Sequence, residues 1–385
     1  MTRSLLVLSF FGILCSLSLA LFFQGQVDWL AELGISGLFV PDAVSLKGTT
    51  MVYWLMQEDA RSWNTFRTLF GVMLVYWPGM IWGTAGIAAT NFLLLMFASA
   101  IFVKSIKAFE LNRNAVFLVS VMTLLMVLGN IYLIEVILFP NKEIPLIALT
   151  NLFIYFLIVR QKIIGALLTA AAAFFFRDGY GIVLVISTIF VYVSWFSTRE
   201  TTAMLLGGFS LILAFLPSAY LAQIDHSLER NIALGNVIDQ SYEQLISGPI
   251  GYYFKILGNA LNLALRPQFL DEMGGLYLLH VGFWQLGIVI VAGLAWSTYK
   301  IARGSENEKN LASVIWIVLL AISYSSYVQP RYLMPLIFWL AMALASSPKS
   351  RWIGVGIGIM GTVLFSAADL LPPRAYGIDE VDWSW

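Results

Sequence analysis

Residues 163–197 read IIGALLTAAAAFFFRDGYGIVLVISTIFVYVSWFS. Two apolar runs, 163–176 and 181–197, flank a turn, and the charged residues of the stretch, Arg177 and Asp178, sit in that turn. Lipid offers no partner to backbone N–H and C=O groups, so runs of this kind are satisfied only as helices. A transmembrane barrel strand would alternate polar and apolar positions instead, and neither run does.

The same pattern extends over most of the chain. Of 385 residues, 59% are hydrophobic and 11% charged, with a mean hydropathy of +0.83. A soluble domain carries about 25% charged residues, so the deficit excludes an ordinary soluble core. Net charge is zero, which gives no reason to expect a nucleic-acid partner. One cysteine, Cys15, precludes an intrachain disulfide or a CxxC site. With two histidines, His226 and His280, no metal or other cofactor is expected. His226 reads as an exposed loop residue and His280 as a hydrogen-bonded core residue.

The expected fold is all-α: a polytopic bundle of about eleven spans in one integral membrane domain, residues 1–385. Spans are expected at 4–23, 85–103, 115–136, 145–159, 163–176, 181–197, 202–221, 276–298, 310–327, 332–347 and 352–371. Residues 4–23 fit an uncleaved first span better than a signal peptide. The stretch 66–83 is apolar but interrupted by Pro78 and Gly79. If it does not cross, Arg3, Lys104, Lys107, Arg113, Arg160, Lys162, Arg199, Lys300, Arg303, Lys309, Lys349 and Arg351 share one side. That side then holds twelve basic and four acidic residues, a net of +8. Positive loops stay cytoplasmic, so 66–83 is expected to be re-entrant or interfacial, the N-terminus cytoplasmic and the C-terminus external. Two long segments, 24–84 and 222–275, then lie outside. The first is rich in tryptophan, as surface helices are.

Three short external turns carry a basic residue against this rule. They are Pro140-Asn141-Lys142-Glu143, Phe176-Arg177-Asp178-Gly179 and Gln329-Pro330-Arg331-Tyr332. One reading is local: Lys142 pairs with Glu143, Arg177 pairs with Asp178, and Arg331 snorkels to headgroups. The other is that Lys142, Arg177 and Arg331 converge on one anion pocket, joined by Arg266 and Arg230 from the long loop. A lipid-linked pyrophosphate is an anion of the right depth. Activating a sugar hydroxyl needs a carboxylate base. Asp42, in Val40-Pro41-Asp42-Ala43, is either that base or a helix N-cap. Glu143 is the second candidate, and Glu135 lies in the outer part of a span.

These elements resemble the GT-C glycosyltransferase superfamily. An external acid after the first helix followed by surface helices is its outline. Leu69-Phe70-Gly71 through Pro78 is similar to the amphipathic helix before its second span. Phe176-Arg177-Asp178-Gly179-Tyr180-Gly181 is similar to its Arg-Pro-x-Gly turn, with Asp for Pro. Pro330-Arg331-Tyr332-Leu333-Met334-Pro335 resembles its Pro-Arg-Tyr-x-x-Pro segment, and Asn141-Lys142-Glu143 resembles the Lys-Glu turn of Wzy-type polymerases. The family's usual Asp-Glu or Asp-Asp pair is here Asp42-Ala43. The resemblance implies a bacterial inner-membrane enzyme whose partners are polyprenyl-(pyro)phosphate-linked saccharides, donor and acceptor, and membrane lipid. Repeat polymerisation and single-sugar transfer both fit, and the Lys-Glu turn favours the first. A lipid-saccharide flippase or a non-catalytic assembly subunit are the alternatives.

Overall fold

The structure is a computed structural model that describes residues 2–32, 63–109, 113–138, 141–196, 198–215, 278–324 and 330–346. Asp42, Arg230, Arg266, His226, most of the two long segments and the expected span 352–371 lie outside these residues. The described residues are all helical in architecture, with no strand among them. In chain order they form α1 (Thr2–Glu32), α2 (Trp63–Ser105), α3 (Arg113–Leu128), α4 (Ile131–Val136) and α5 (Glu143–Ile154). There follow α6 (Ile163–Phe176), α7 (Asp178–Ser194), α8 (Arg199–Phe215), α9 (Leu278–Arg303), α10 (Glu306–Tyr324) and α11 (Ile337–Ser346). A π turn, Tyr155–Val159, extends α5, and a 3-10 segment, Pro330–Leu336, leads into α11. Two stretches, Ala85–Ala108 and Gln285–Arg303, are long and apolar enough to cross a membrane; other apolar helices run 10–17 residues.

α2 departs from the expected picture. It is helical from Trp63 to Ser105 with Pro78 inside, yet it is not straight. Tyr76 Oη donates to Asn91 Oδ1 at 2.6 Å across fifteen positions, whereas a straight helix would separate them by about 22 Å. A Cβ on Gly86 would collide with the Pro78 carbonyl. The chain therefore reverses between Gly79 and Gly86. Pro78 lacks the N–H that would continue the ladder, and glycine lets the second limb close onto it. Tyr76 is buried, so this part of 66–83 is a limb folded back on the stretch from Gly86 to Asn91.

The expected span 115–136 is also broken. α3 stops at Leu128, Asn130 caps α4 by accepting from the Leu133 N–H at 3.2 Å, and α4 ends at Val136. The break frees carbonyls that side chains recover. Ser16 Oγ donates to the Leu128 carbonyl at 2.7 Å, Asn141 Nδ2 to Val136 at 2.9 Å and Asn91 Nδ2 to Ile137 at 2.8 Å. An apolar setting makes each unpaired group expensive. α1 runs on to Glu32, so residues 24–32 of the first long segment continue the first helix.

The helices close a circuit: α1 packs on α2, α2 on α5, α5 on α6, α6 on α7, α7 on α10, α10 on α9, α9 on α11, α11 on α3, and α3 on α1. Within the described residues α5 and α11 are the most enclosed, and Leu333 through Ala345 are all buried. Trp339 anchors that core, with ring centroids 5.2 Å from Phe102 and 5.8 Å from Phe109. Large apolar residues also lie on the outer surface. Phe11, Trp82, Leu93, Leu125, Ile164, Leu168, Ile189 and Phe196 are exposed. Interior Ser9, Ser120, Thr169 and Ser187 instead return their hydroxyl protons to the carbonyl four residues back.

Charged side chains gather at the two ends of the bundle. α5 with its π turn runs from Glu143 at one end to Arg160 at the other, about 25 Å at 1.5 Å per residue. The Arg160 end also holds Lys104 over the Tyr155 ring, Lys107 bonded to Thr2, and Asn307 bonded to the Ala108 carbonyl. Lys309, 2% exposed, pairs there with Glu306 at 2.9 Å and donates to the Ser194 carbonyl. These are residues that the charge count assigns to one side.

Candidate functional site

The opposite end brings two of the three exceptional turns together with the segment of the third. Arg177 is the single residue between α6 and α7, with extended backbone (φ −153°, ψ 106°). Its N–H donates to the Ala173 carbonyl at 3.0 Å and its carbonyl accepts from Gly181 at 3.0 Å, so one residue both ends α6 and starts α7. The link can be this short because Gly181 abuts α6: a Cβ there would lie 2.6 Å from Phe174 Cα.

Glu143 opens α5. Asn141 caps that helix, with Oδ1 accepting from the Ile144 N–H at 2.8 Å. Pro145 sits in the first turn, where its missing N–H is harmless. The Glu143 carboxylate thus lies at a helix N-terminus, a favourable place for negative charge, and its Oε2 accepts from the Lys142 N–H at 3.2 Å. Its charge partner is Arg177, with Nη2 3.4 Å from Oε1; Glu143 is 3% exposed and Arg177 19%. Tyr332 completes the arrangement, its ring centroid 4.5 Å from Arg177 Cζ. Among the described residues Arg177 Nη1 is buried without a hydrogen-bond partner.

The guanidinium is therefore anchored on one edge by a carboxylate and on one face by an aromatic ring, with a donor to spare. A guanidinium held in this way keeps its plane, and a free donor on it can meet a phosphate or carboxylate oxygen. A polar layer supports it from behind. Tyr76, Asn91 and Asn141 are buried; Asn91 and Asn141 hold the C-terminal end of α4, Tyr76 bonds Asn91, and Tyr180 Oη lies 2.9 Å from Thr150 Oγ1. Gly71 packs on the Phe175 carbonyl, so the folded-back limb of α2 flanks the same hairpin.

Of the residues singled out in the sequence, Glu143 and Arg177 meet and Lys142 adjoins them through its backbone. Arg331 lies in the 3-10 segment beside Tyr332. Asp42 and Arg266 fall outside the described residues. Arg177 and Glu143 join across hairpins, a pairing that neither the local reading nor a purely cationic pocket anticipated. Tyr332, Tyr76 and Asn91 were not anticipated as site residues. Tyr332 stood in the quoted Pro-Arg-Tyr segment, and Asn91 is a lone amide in an apolar run; those were the available signals. Among the described residues no group of His, Cys, Asp and Glu could hold a metal ion. No family model, curated protein or solved structure matches the chain.

Proposed function

We propose that the chain is a polytopic membrane glycosyltransferase of about eleven spans, using polyprenyl-(pyro)phosphate-linked sugars at the external face to extend or polymerise a surface polysaccharide. The observation that carries this reading is the Arg177 guanidinium, held by Glu143 and Tyr332 with Nη1 unsatisfied, at the end opposite the cation-rich loops. The apolar exterior and the separation of charges to two ends support the membrane setting.

In this reading Arg177 takes the phosphate of the donor, with Lys142 and Arg331 adding positive charge. The acceptor hydroxyl oxygen attacks the anomeric carbon as the bond from that carbon to the phosphate oxygen breaks. The proton passes to a carboxylate, and the charge left on the departing phosphate is held by the guanidinium. Glu143 already neutralises Arg177, so its first task is to position that residue. Asp42 is then the better base. The described charged side chains lie at bundle ends, and no observation favours a transport pathway.

The test is a deletion of the gene in its host, complemented with Arg177→Lys, Arg331→Ala or Asp42→Asn. Expected are accumulation of short lipid-linked saccharide and loss of long polysaccharide, with each protein present at its normal level in the membrane. Normal polysaccharide from all three variants overturns the proposal.

A further inference from the structure

The opposite end of the bundle carries a second cation-rich feature that the transferase reading leaves unused. Tyr155 begins the π turn and is buried, and two cations converge on it. Arg160 Nε donates to Tyr155 Oη at 2.7 Å, and Arg160 Cζ lies 5.6 Å from the ring centroid. Lys104, from the last turn of α2, places Nζ 5.0 Å from the same centroid. The two charges are thus no farther apart than the sum of those distances, although like charges repel.

The backbone keeps them there. Gln161 adopts a positive φ of 51°, a conformation usually left to glycine, and the Lys162 N–H turns back to the Phe156 carbonyl at 2.8 Å. That turn links the π turn to α6, and Arg160, Lys162, Lys104 and Lys107 are all exposed at this end of the bundle. None of the four is ion-paired with a carboxylate among the described residues, whereas Lys300 and Lys309 on the same end both are. Arg160 uses Nε on Tyr155, and the residue as a whole is exposed.

We infer that Lys104, Arg160 and Lys162 form a binding site for the phosphate headgroup of an anionic phospholipid, with Tyr155 as the residue that positions the two nearest cations. The exposed apolar residues next to it, Ile164, Leu167 and Leu168 on α6, provide the surface along which the acyl chains lie. A headgroup carrying one negative charge bridges the two cations that share the Tyr155 ring, and apolar helix surface continues along α6 from Ile164. The inference rests on the membrane setting but not on the transferase chemistry.

The experiment uses the full-length protein in detergent, with native mass spectrometry of bound phosphatidylglycerol and phosphatidylcholine. Wild type is expected to retain phosphatidylglycerol at least tenfold over phosphatidylcholine. Lys104→Gln with Arg160→Gln should bring retention down to the phosphatidylcholine level. Tyr155→Phe, which keeps the ring and removes the hydroxyl, should weaken it severalfold. Lys300→Gln is the control for a basic residue already paired on the same end, and should change nothing. Equal retention of the two lipids, or an unchanged preference in the double variant with its monodisperse profile intact, overturns the site. Displacement of the lipid by millimolar inorganic phosphate would also overturn it, because the site would then recognise free phosphate without its lipid.

Discussion

Arg177 reaches Glu143 across 34 positions of chain, Nη2 to Oε1 at 3.4 Å, and joins the first turn of α5 to the apex of the α6–α7 hairpin. The pair sits where two helix ends meet. It ties the position of one turn to the other.

Removing one member leaves the other buried without its partner. Arg177→Ala should lower stability by about 3–5 kcal/mol, seen as a lower midpoint in thermal unfolding of the detergent-solubilised protein. The double variant Arg177→Gln with Glu143→Gln should recover much of that loss. A single variant as stable as wild type would show that the pair contributes nothing. Arg177→Lys keeps the charge and loses the stacked plane, and is the variant in which stability and product formation separate.

The Tyr76–Asn91 bond holds the folded-back limb of α2. Tyr76→Phe strips the buried Asn91 carbonyl oxygen of that donor and should destabilise by about 1–3 kcal/mol. Asn91→Leu should cost more, since it also abandons the Ile137 carbonyl. Thermal unfolding of both variants ranks them, and the reverse order would show that the Ile137 contact is dispensable.

Gly86 and Gly208 separate packing from propensity. A Cβ at Gly86 meets the Pro78 carbonyl, whereas at Gly208 nothing lies within 4 Å. Gly86→Ala should open the reversal in α2 and reduce the yield of monodisperse protein. Gly208→Ala should stabilise by up to about 1 kcal/mol through helix propensity. Equal yields and melting points for the two would remove the hairpin.

Orientation is read by cysteine labelling in a Cys15→Ser background. A cysteine at position 142 should react with an impermeant maleimide added to intact cells. Cysteines at 107 and 162 should react only after permeabilisation. The opposite pattern would move the Glu143–Arg177 end to the cytoplasm and with it the proposed chemistry.

The apolar runs alone determined that the described residues are helical, because helix is what satisfies a backbone without water, and Ile163–Phe176 begins and ends where its run does. The grouping of Lys104, Lys107, Arg160 and Lys162 was likewise legible, since charge asymmetry acts loop by loop. Partners were not. Glu143 has Lys142 beside it and Arg177 has Asp178 beside it, and Coulomb attraction is indifferent to which opposite charge is nearer in sequence. Only the packing of α5 against α6 decided that Glu143 meets Arg177. The reversal of α2 was half-visible in Pro78 and Gly79, but its closure depends on Asn91 lying opposite Tyr76. The break after Leu128 had a weaker sign in Gly129-Asn130, and it holds because Ser16, Asn91 and Asn141 arrive from other helices to take the freed carbonyls. Local chemistry dictates which backbone a segment adopts. Which polar groups satisfy one another is a property of distances that exist only once the bundle has closed.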